Sequence, residues 1–431
     1  TDVNNVVINC APWTWVGGTN VLNDSGVYGV QGVTDPANVP KARYNASSWK
    51  DSSGNFWLFG GLSNSDVSSM NDIWKYDPVA EQWTWMKGSQ TAGAGTIFGT
   101  QKVEDPTNDP GTRVRTASWK DANDNFWIFS GRWYNDLWKY NPTTNNWTWV
   151  SGTDQTYQVG IYTPITSGPN KSPAYPGYRW GGASWIDASG NMWMFGGYGS
   201  DSVTTIEGRL NDLWKYDPVA DLWTWVSGSE FKNQPGVYGT QGVADVANVP
   251  GAREDAAYWG DASGNFWLFG GQGYDSTGSY GLLNDLWKYD VATGNWTWVG
   301  GSDLVNQPGS YGTIGNAAAS NIPPPRHEAL AQQDSSGNFW LYGGSGSTTY
   351  ADLWKYDTTT GQWTWVSGPK VRVDNAIYGE LGVPAALNIP GSRLGSIGWF
   401  DANDTLWVFG GYGWLQTGYW GDLNDLWMIT P

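Results

Sequence analysis

The chain of 431 residues has few of the side chains that metal centres and covalent cross-links require. Cys10 is its one cysteine, so no intrachain disulfide can form. His327 is its one histidine, which argues against the multi-histidine sites of zinc and copper catalysis. The sequence also has no nucleophile elbow, phosphate-binding loop or dinucleotide-binding fingerprint. We therefore expect no cofactor and no bound metal.

Positive charge and long apolar runs are scarce as well. Lysine and arginine number 23 against 40 acidic residues, which gives a net charge of −17. Nucleic acids and anionic membranes bind cationic surfaces, so we expect neither as a partner. No apolar run approaches the roughly 18–20 residues of a membrane span, and we expect no membrane insertion. A chain poor in cysteine and lysine and rich in small polar residues is typical of an exported bacterial protein. We predict a secreted or cell-surface location, either extracellular or periplasmic.

Aromatic residues and glycine are abundant instead. The chain has 33 Trp, 23 Tyr and 59 Gly and no long stretch of helical periodicity, which predicts many short strands joined by tight turns. Two motifs recur six times each, and repeats of this kind decide the fold. The Asp-(Leu/Ile)-Trp motif starts at Asp72, Asp136, Asp212, Asp285, Asp352 and Asp425. The Trp-x-Trp motif starts at Trp13, Trp83, Trp147, Trp223, Trp296 and Trp363.

The two motif series are out of phase. A Trp-x-Trp at Trp13 precedes every Asp-Leu-Trp, and the Asp-Leu-Trp at Asp425 has no Trp-x-Trp after it. In a closed ring the two chain ends complete one unit, and closure leaves no free sheet edge. Within a repeat such as residues 253–299, alternation and turn residues predict four antiparallel strands. We therefore predict an all-β fold of six four-stranded antiparallel blades, in which the strand around Trp13–Val16 joins the C-terminal blade.

Each repeat also has a double glycine before its Asp-Leu-Trp-x-Tyr segment. The pairs are Gly60-Gly61, Gly196-Gly197, Gly270-Gly271, Gly343-Gly344 and Gly410-Gly411, and one copy departs as Ser130-Gly131. This pattern resembles the kelch repeat over about residues 11–429 and implies a six-bladed kelch-type β-propeller. We expect one monomeric domain over residues 1–431, of a kind that suits a part of a larger chain. Its expected parts are a tail at 1–10, a closing strand at 11–18 and blades at about 43–88, 113–152, 179–228, 253–301, 326–368 and 393–430.

The resemblance implies three classes of function. Kelch propellers include protein-recognition modules, copper radical oxidases resembling galactose oxidase, and sugar-acid epimerases of the N-acetylneuraminate type. The copper chemistry needs two histidine ligands and a cysteine cross-linked to tyrosine, whereas this chain has only His327 and Cys10. An epimerase needs a carboxylate-binding group and proton carriers, which this chain has in its arginines and in Glu254, Glu328 and His327.

Every interblade connection delivers an arginine to the start of a first strand. These ring arginines are Arg43, Arg113, Arg179, Arg253, Arg326 and Arg393. Six guanidinium groups at the mouth of a central channel would bind an anion or a carboxylate. Alternatively, each arginine pairs with a carboxylate, such as the aspartate of Asp-Leu-Trp, and has a structural role. Strict sixfold repetition favours the structural alternative.

Four tryptophans lie outside the repeated positions, which account for the other 29 of the 33. They are Trp133, Trp180, Trp414 and Trp420, and Tyr134 accompanies them. All map to the long-loop face, where we expect the second-to-third-strand loops and the interblade connections. Exposed aromatic rings suit sugar rings or aromatic and proline-rich peptides. Alternatively, these rings pack the loops together.

The two residues after each ring arginine also differ from blade to blade. Two adjacent blades have Glu254, Asp255, His327 and Glu328 at these positions. Two or three carboxylates and an imidazole near a channel mouth would transfer protons or bind a cation. Alternation along a strand predicts that only one residue of each pair faces inward. The alternative is a set of scattered polar side chains on a wet channel wall.

We predict an exported binding module that recognises carbohydrate on its long-loop face. The expected ligand-binding residues are the ring arginines together with Trp133, Tyr134, Trp180, Trp414 and Trp420. The first alternative is a sugar-acid isomerase, epimerase or lyase that uses Glu254, Asp255, His327 and Glu328, although no catalytic role is assigned to any one of them. The second alternative is a structural or adhesive propeller that docks onto another protein.

Overall fold

The computed structural model describes residues 12–63, 68–163, 174–373, 375–415 and 418–431. The predicted tail at 1–10, with Cys10, lies outside these residues. The fold is an all-β propeller of six antiparallel blades, as the repeats predict. Over the described residues, no helix is both long and apolar enough to cross a membrane.

The strands are short, and most repeats contribute four main ones. The first sixteen are β1 (Thr14–Gly17), β2 (Ser47–Lys50), β3 (Phe56–Phe59), β4 (Leu62–Ser63), β5 (Ser68–Ser69), β6 (Ile73–Asp77), β7 (Gln82–Lys87), β8 (Glu104–Asp105), β9 (Ala117–Lys120), β10 (Phe126–Phe129), β11 (Leu137–Asn141), β12 (Asn146–Ser151), β13 (Arg179–Trp180), β14 (Ala183–Ile186), β15 (Met192–Gly199) and β16 (Gly208–Asp217). The others are β17 (Leu222–Ser227), β18 (Ala244–Asp245), β19 (Arg253–Glu254), β20 (Ala257–Gly260), β21 (Phe266–Tyr274), β22 (Tyr280–Asp290), β23 (Asn295–Gly300), β24 (Ala317–Ala318), β25 (Leu330–Gln333), β26 (Phe339–Tyr342), β27 (Leu353–Asp357), β28 (Gln362–Ser367), β29 (Arg393–Leu394), β30 (Ile397–Phe400), β31 (Leu406–Trp414) and β32 (Trp420–Ile429).

The chain divides into two compact units, which are described separately. Unit 1 takes its described residues from Thr1–Gly93 and Pro308–Pro431, and unit 2 takes its described residues from Ala94–Gln307. Unit 1 contains blade 1 (β2-β3-β6-β7), blade 5 (β25-β26-β27-β28) and blade 6 (β30-β31-β32-β1). Unit 2 contains blade 2 (β9-β10-β11-β12), blade 3 (β14-β15-β16-β17) and blade 4 (β20-β21-β22-β23). The expectation of one domain stays a prediction.

The N-terminal strand completes blade 6, as the phase of the two motifs predicts. β1 pairs antiparallel with β32, and Trp15 lies opposite Trp427. Both strands belong to unit 1, so this unit contains the two ends of the described chain. The pairing covers the edge of β32 with backbone hydrogen bonds and leaves it no free side for another chain.

An aspartate fixes each turn between a first and a second strand. In blade 4, Asp261 Oδ1 accepts hydrogen bonds from the backbone N–H groups of Ser263 and Asn265, at 2.9 Å each. Its Oδ2 accepts from Trp267 Nε1 at 2.9 Å, and these bonds lower the pKa of Asp261 although burial opposes them. The aspartate therefore stabilises the turn by accepting hydrogen bonds from its backbone N–H groups. Asp51, Asp121, Asp187, Asp334 and Asp401 start equivalent turns.

A short fifth strand lies on the outer edge of three blades. β8 pairs with β12 and β18 with β23 in unit 2, and β24 pairs with β28 in unit 1. Asn248 anchors one of these connections, because its Nδ2 donates to the backbone carbonyls of Trp296 and Val243 at 3.0 Å each. The middle parts of these interblade connections follow the outer strand, so they protect the sheet edge. The sequence prediction placed the connections on the long-loop face and did not anticipate this role.

Aromatic side chains fill the space between neighbouring blades within each unit. In unit 1, Trp399 of blade 6 stacks on Phe56 of blade 1 with ring centroids 4.9 Å apart and planes within 1°. In unit 2, Trp185 of blade 3 stacks on Phe266 of blade 4 at 4.8 Å and 12°. All four rings are buried. Truncating a buried aromatic side chain to alanine costs about 3–5 kcal/mol, so these stacks are a large part of the stability of each unit.

Candidate functional site

The ring arginines are buried, and each binds the aspartate of the Asp-(Leu/Ile)-Trp motif in its own blade. In blade 4, Arg253 donates from Nη1 to Asp285 Oδ1 and from Nη2 to Asp285 Oδ2, at 2.7 Å each. Its Nε donates to the carbonyl of Gly251 and its Nη1 also donates to that of Gly270, the first residue of the double glycine. We call each such pair an arginine–aspartate node. The other nodes are Arg43–Asp72, Arg113–Asp136, Arg179–Asp212, Arg326–Asp352 and Arg393–Asp425.

A tryptophan and a tyrosine complete the node in five blades. In blade 4, the Tyr238 hydroxyl donates to Asp285 Oδ2 at 2.6 Å and Trp287 Nε1 donates to the same oxygen at 2.7 Å. Burial and the nearby carboxylate hold the pKa of Tyr238 well above its usual value, so the hydroxyl stays a neutral donor. The five tyrosines are Tyr28, Tyr162, Tyr238, Tyr311 and Tyr378. This geometry supports the structural alternative for the arginines of these five blades, and their ligand-binding role stays a prediction.

Blade 2 has an incomplete node. Phe98 occupies the position of the tyrosine and packs against Trp138, with ring centroids 5.6 Å apart and planes tilted by 38°. Arg113 makes a single contact with Asp136, from Nη2 to Oδ2 at 2.5 Å. Among the described residues, neither Arg113 Nε nor Asp136 Oδ1 has a hydrogen-bond partner, although both atoms are buried. Burial raises the pKa of Asp136 above its usual value, and the guanidinium of Arg113 opposes that shift only in part. The guanidinium also lies 5.0 Å from the ring centroid of Tyr134.

Two of the four predicted tryptophans contact each other in unit 1. The Trp414 and Trp420 rings lie opposite each other at the end of the β31–β32 hairpin, with centroids 5.2 Å apart. The guanidinium carbon of Arg372 lies 4.7 Å from the centroid of Trp414, and Tyr412 packs edge-on against Trp420 at 4.7 Å. Both tryptophans are half-buried. The cluster is mainly apolar, with one cation on its side.

The third predicted tryptophan belongs to a row of aromatic rings in unit 2. Trp133 is 39% exposed, and its ring lies 6.1 Å from that of Tyr157, which is 44% exposed. Tyr157 packs edge-on against Tyr178 at 5.4 Å. The hydroxyl of Tyr178 lies 3.2 Å from Glu207 Oε1, and burial together with this carboxylate raises the pKa of Tyr178. The neighbouring hydroxyls of Tyr157 and Tyr198 add to that shift.

In the same unit, Tyr198 contacts the fourth predicted tryptophan and an arginine. Trp180 lies opposite Tyr198 across two paired strands, with ring centroids 5.1 Å apart. The guanidinium carbon of Arg209 lies 4.7 Å from the Tyr198 centroid and 4.5 Å from that of Tyr280, which is 43% exposed. Tyr280 in turn contacts Tyr274 at 5.5 Å. We call the seven rings Trp133, Tyr157, Tyr178, Trp180, Tyr198, Tyr274 and Tyr280 the aromatic strip.

Two arginines hold the acidic pair beside the aromatic strip. Glu254 is buried, and its Oε1 lies 2.6 Å from Arg209 Nη2. Asp255 Oδ2 accepts a hydrogen bond from Arg115 Nη1 at 2.9 Å, and Glu254 Oε2 lies 4.0 Å from the same nitrogen. Burial and then the Asp255 carboxylate raise the pKa of Glu254 to about 7, against the opposing effect of the two arginines. A carboxyl group with this pKa can either give or accept a proton at neutral pH.

Backbone conformation explains why Glu254 and Asp255 both reach Arg115. Arg115 and Asp255 have φ values of 51° and 54°, in the left-handed region, and Gly181 between them in space has 67°. The Gly181 N–H donates to the carbonyl of Arg115 at 2.9 Å, and the Asp255 N–H donates to that of Gly181 at 2.8 Å. Left-handed residues break the alternation of a strand, so Glu254 and Asp255 can both turn toward Arg115, and the expectation that one residue of each pair faces inward stays a prediction.

The other half of the predicted acid–base set lies in unit 1. His327 Nδ1 is 3.8 Å from Glu328 Oε1, and the Glu328 side chain is buried. Glu328 also has a left-handed backbone, with φ of 53°, and its carbonyl accepts a hydrogen bond from the Gly395 N–H at 2.9 Å. The structure therefore places Glu254 and Asp255 in unit 2 and His327 and Glu328 in unit 1.

Sequence reasoning did not identify Arg209, Tyr157 or Tyr178. One signal was available, because the chain has ten arginines and only six of them are ring arginines. The four others, like the four unrepeated tryptophans, break the symmetry of the repeat: Arg115, Arg132, Arg209 and Arg372. Each of the four contacts either the acidic pair or an aromatic ring of a long loop.

The comparisons with known proteins identify no relative. No protein-family model matches the chain, and no curated protein matches it.

Proposed function

We propose that the protein is a carbohydrate-binding module and that the aromatic strip of unit 2 is its binding surface. The observation that carries the proposal is the contact of exposed rings with fixed charged groups. Tyr280 presents 43% of its surface to solvent while its ring covers Arg209, which is ion-paired with Glu254 at 2.6 Å. Sugar recognition needs both parts, because a sugar ring has apolar faces that stack on aromatics and polar edges that need hydrogen-bond partners.

Two features of the strip favour an extended ligand. Its rings contact one another from Trp133 through Tyr157 to Tyr178, and a second group of contacts runs from Trp180 through Tyr198 and Arg209 to Tyr280. Four of the rings lie on paired strands, since Trp180 pairs with Tyr198 across β13 and β15 and Tyr274 with Tyr280 across β21 and β22. A row of rings on a rigid scaffold suits a chain of sugar units better than one monosaccharide.

A glycan-array screen tests the proposal. We expect the purified protein to bind a defined group of oligosaccharides, and we expect Trp133→Ala together with Tyr280→Ala to abolish that binding. The matched control is Tyr419→Ala, which removes a ring that is 71% exposed in unit 1. A second arm carries Trp414→Ala with Trp420→Ala. Loss of binding in that arm alone would move the site to unit 1, and silence of the unmodified protein across a broad array would refute the proposal.

An isomerase of sugar acids is the second candidate, and the pKa of Glu254 favours it. A buried carboxyl group with a pKa of about 7 beside two arginines can remove a proton next to a carboxylate that the arginines hold. The test is exchange of the proton next to the carboxylate of a sugar acid in D₂O, followed by NMR. Exchange that Glu254→Gln abolishes would establish this activity, and no exchange over a panel of sugar acids would exclude it.

We also propose that the chain belongs to the kelch-type propellers and acts outside the cytoplasm as a monomeric domain. The support is the repeated double glycine, Asp-Leu-Trp and Trp-x-Trp pattern together with the cysteine-poor composition. Fractionation of the native host with an antibody against the chain tests the location. Recovery of the protein in the cytoplasmic fraction alone would contradict it.

A further inference from the structure

The arginines that break the repeat are placed unlike the ring arginines. Each ring arginine is buried against an aspartate. The side chain of Arg209 is 21% exposed and that of Arg115 is 25% exposed, and they contact Glu254 and Asp255. In the same unit, Arg132 lies 4.6 Å from the centroid of Trp133. In a chain whose net charge is −17, unit 2 therefore has two unrepeated arginines in contact with rings of the strip, Arg132 and Arg209, and a third, Arg115, on the adjoining acidic pair.

The surroundings of Arg209 control how a ligand can approach it. The guanidinium lies over the rings of Tyr198 and Tyr280 at 4.7 and 4.5 Å, so the two rings limit access to its flat faces. Its Nη2 contacts Glu254, while its Nε is buried with no hydrogen-bond partner among the described residues. A guanidinium has five N–H donors in one plane. Because Nε is buried and Nη2 contacts Glu254, the Nη1–Nη2 edge is the one left for a ligand, and an edge of this kind matches the paired oxygens of an oxyanion.

The neighbouring acids do not neutralise this edge completely. Asp255 is bound to Arg115 at 2.9 Å, which leaves Glu254 as the acid that faces Arg209. Burial raises the pKa of Glu254 to about 7, so a large part of the molecules carry a neutral Glu254 at neutral pH. In those molecules the charge of Arg209 has no opposing carboxylate in contact with it, and an anionic ligand group gains the full charge-assisted hydrogen bond.

We propose that the aromatic strip selects saccharides that carry an oxyanion, either a carboxylate or a sulfate ester, and that Arg209 is the residue that recognises this group. The sugar ring stacks on Tyr280 or Trp180, and the oxyanion accepts hydrogen bonds from the edge of Arg209. Glu254 competes with the ligand for the same guanidinium. This inference rests on the proposed carbohydrate-binding function and deepens it.

Calorimetry with matched pairs of oligosaccharides tests the inference. One pair is an oligogalacturonate and a galactose oligomer of the same length, and the other is a sulfated oligosaccharide and its desulfated form. We expect at least one charged probe to bind about tenfold or more tightly than its neutral partner. The carboxylate and sulfate arms show which of the two oxyanions the site takes.

Two substitutions locate the effect. Arg209→Gln removes the charge, and we expect it to eliminate the preference for the charged probe over the neutral one. Glu254→Gln removes the competing carboxylate, and we expect it to strengthen binding of the charged probe severalfold. The control is Arg372→Gln, which removes an arginine that also lies on an aromatic ring, 4.7 Å from Trp414, but in unit 1. A thermal unfolding curve of each variant confirms that it is folded.

The outcomes separate this inference from the function on which it rests. Equal binding of charged and neutral probes by the unmodified protein would overturn the oxyanion preference and leave carbohydrate binding in place. A preference that Arg209→Gln retains, or that Arg372→Gln also removes, would overturn the role of Arg209. Binding of neither kind of probe, together with a silent glycan array, would refute carbohydrate binding itself.

Discussion

Blades 4 and 2 contain the same ring arginine and the same aspartate, yet their nodes differ in most other bonds. In blade 4, Arg253 contacts both oxygens of Asp285, and Tyr238 donates a hydroxyl to the same carboxylate. In blade 2, Arg113 contacts one oxygen of Asp136, and the tyrosine is replaced by Phe98. One buried carboxylate is saturated with donors, and the other is not.

The difference is related to the loop that follows the second strand of blade 2. Ser130 occupies the position of the first glycine in the double glycine, and its hydroxyl donates to the carbonyl of Tyr134 at 2.5 Å. Arg113 lies 5.0 Å from the ring of the same tyrosine. The next residue before Tyr134 is Trp133, the exposed end of the aromatic strip. The blade that departs from the structural node is thus the one whose loop carries a candidate ligand-binding ring, which suggests that this loop is specialised at the expense of the node.

Removing the aspartate charge should change the free energy of unfolding most, and it should separate blade 4 from blade 2 most clearly. Asp285→Asn leaves Arg253 buried without its counter-ion, and we expect it to lower the free energy of unfolding by about 3–5 kcal/mol. Asp136→Asn should cost less, about 1–2 kcal/mol, because Asp136 has fewer bonds to lose. Urea unfolding monitored by tryptophan fluorescence measures both. Equal losses for the two variants would show that the two nodes are energetically alike.

Removing one tyrosine hydroxyl should give the next largest effect. Tyr238→Phe converts the blade 4 node toward that of blade 2 and deprives Asp285 Oδ2 of a donor at 2.6 Å. We expect a loss of about 1–2 kcal/mol in the free energy of unfolding, because a buried hydrogen bond to a charged group is lost. Tyr419→Phe is the control, since Tyr419 is 71% exposed. A loss no larger than that of the control would show that the hydroxyl contributes nothing to the node.

The sequence predicts the repeated parts of these nodes well. Sixfold repetition of the ring arginine and of Asp-Leu-Trp was sufficient to suggest their pairing, and the phase of Trp13 and Asp425 predicted closure through β1 and β32. A motif that occurs in every repeat identifies only the residues that all six blades have in common. That is why the blade architecture follows from the motifs alone.

The features that sequence reasoning missed depend on tertiary contacts between residues that belong to no repeated motif and show no alternation of apolar and polar side chains. β8 contains only Glu104 and Asp105, which have no alternation to predict a strand, and its pairing with β12 gives it that structure. Arg209 lies in blade 3 and Tyr280 in blade 4, and no spacing along the chain indicates their contact. The raised pKa of Glu254 depends on its burial, which no local signal reports.

Adding the missing hydroxyl to blade 2 should stabilise the protein. The ring of Phe98 lies 4.8 Å from Trp149, much as Tyr238 lies 5.3 Å from Trp298, so the para position of Phe98 should face the carboxylate of Asp136. We expect Phe98→Tyr to raise the free energy of unfolding by about 1 kcal/mol at neutral pH. The urea midpoint measures this gain. A lower midpoint would mean that the space beside Asp136 cannot hold a hydroxyl group.

The gain in the free energy of unfolding from Phe98→Tyr should depend on pH. This change with pH is the smallest of the expected effects and tests the blade 2 node most directly. Burial raises the pKa of Asp136 in the folded protein, whereas the unfolded chain has the usual value of about 3.9. The ionised carboxylate therefore destabilises the fold above the raised pKa, and this penalty disappears as the pH falls below the usual value.

A tyrosine hydroxyl donates to the ionised form and removes part of the penalty. We expect the gain to be complete above the raised pKa and to fade as the pH falls from the raised pKa toward about 4. Urea unfolding of the variant and the unmodified protein at pH 7 and pH 4 measures it, with Tyr419→Phe as the control. A gain that is constant over this range would show that the added hydroxyl acts through packing and not through the charge of Asp136.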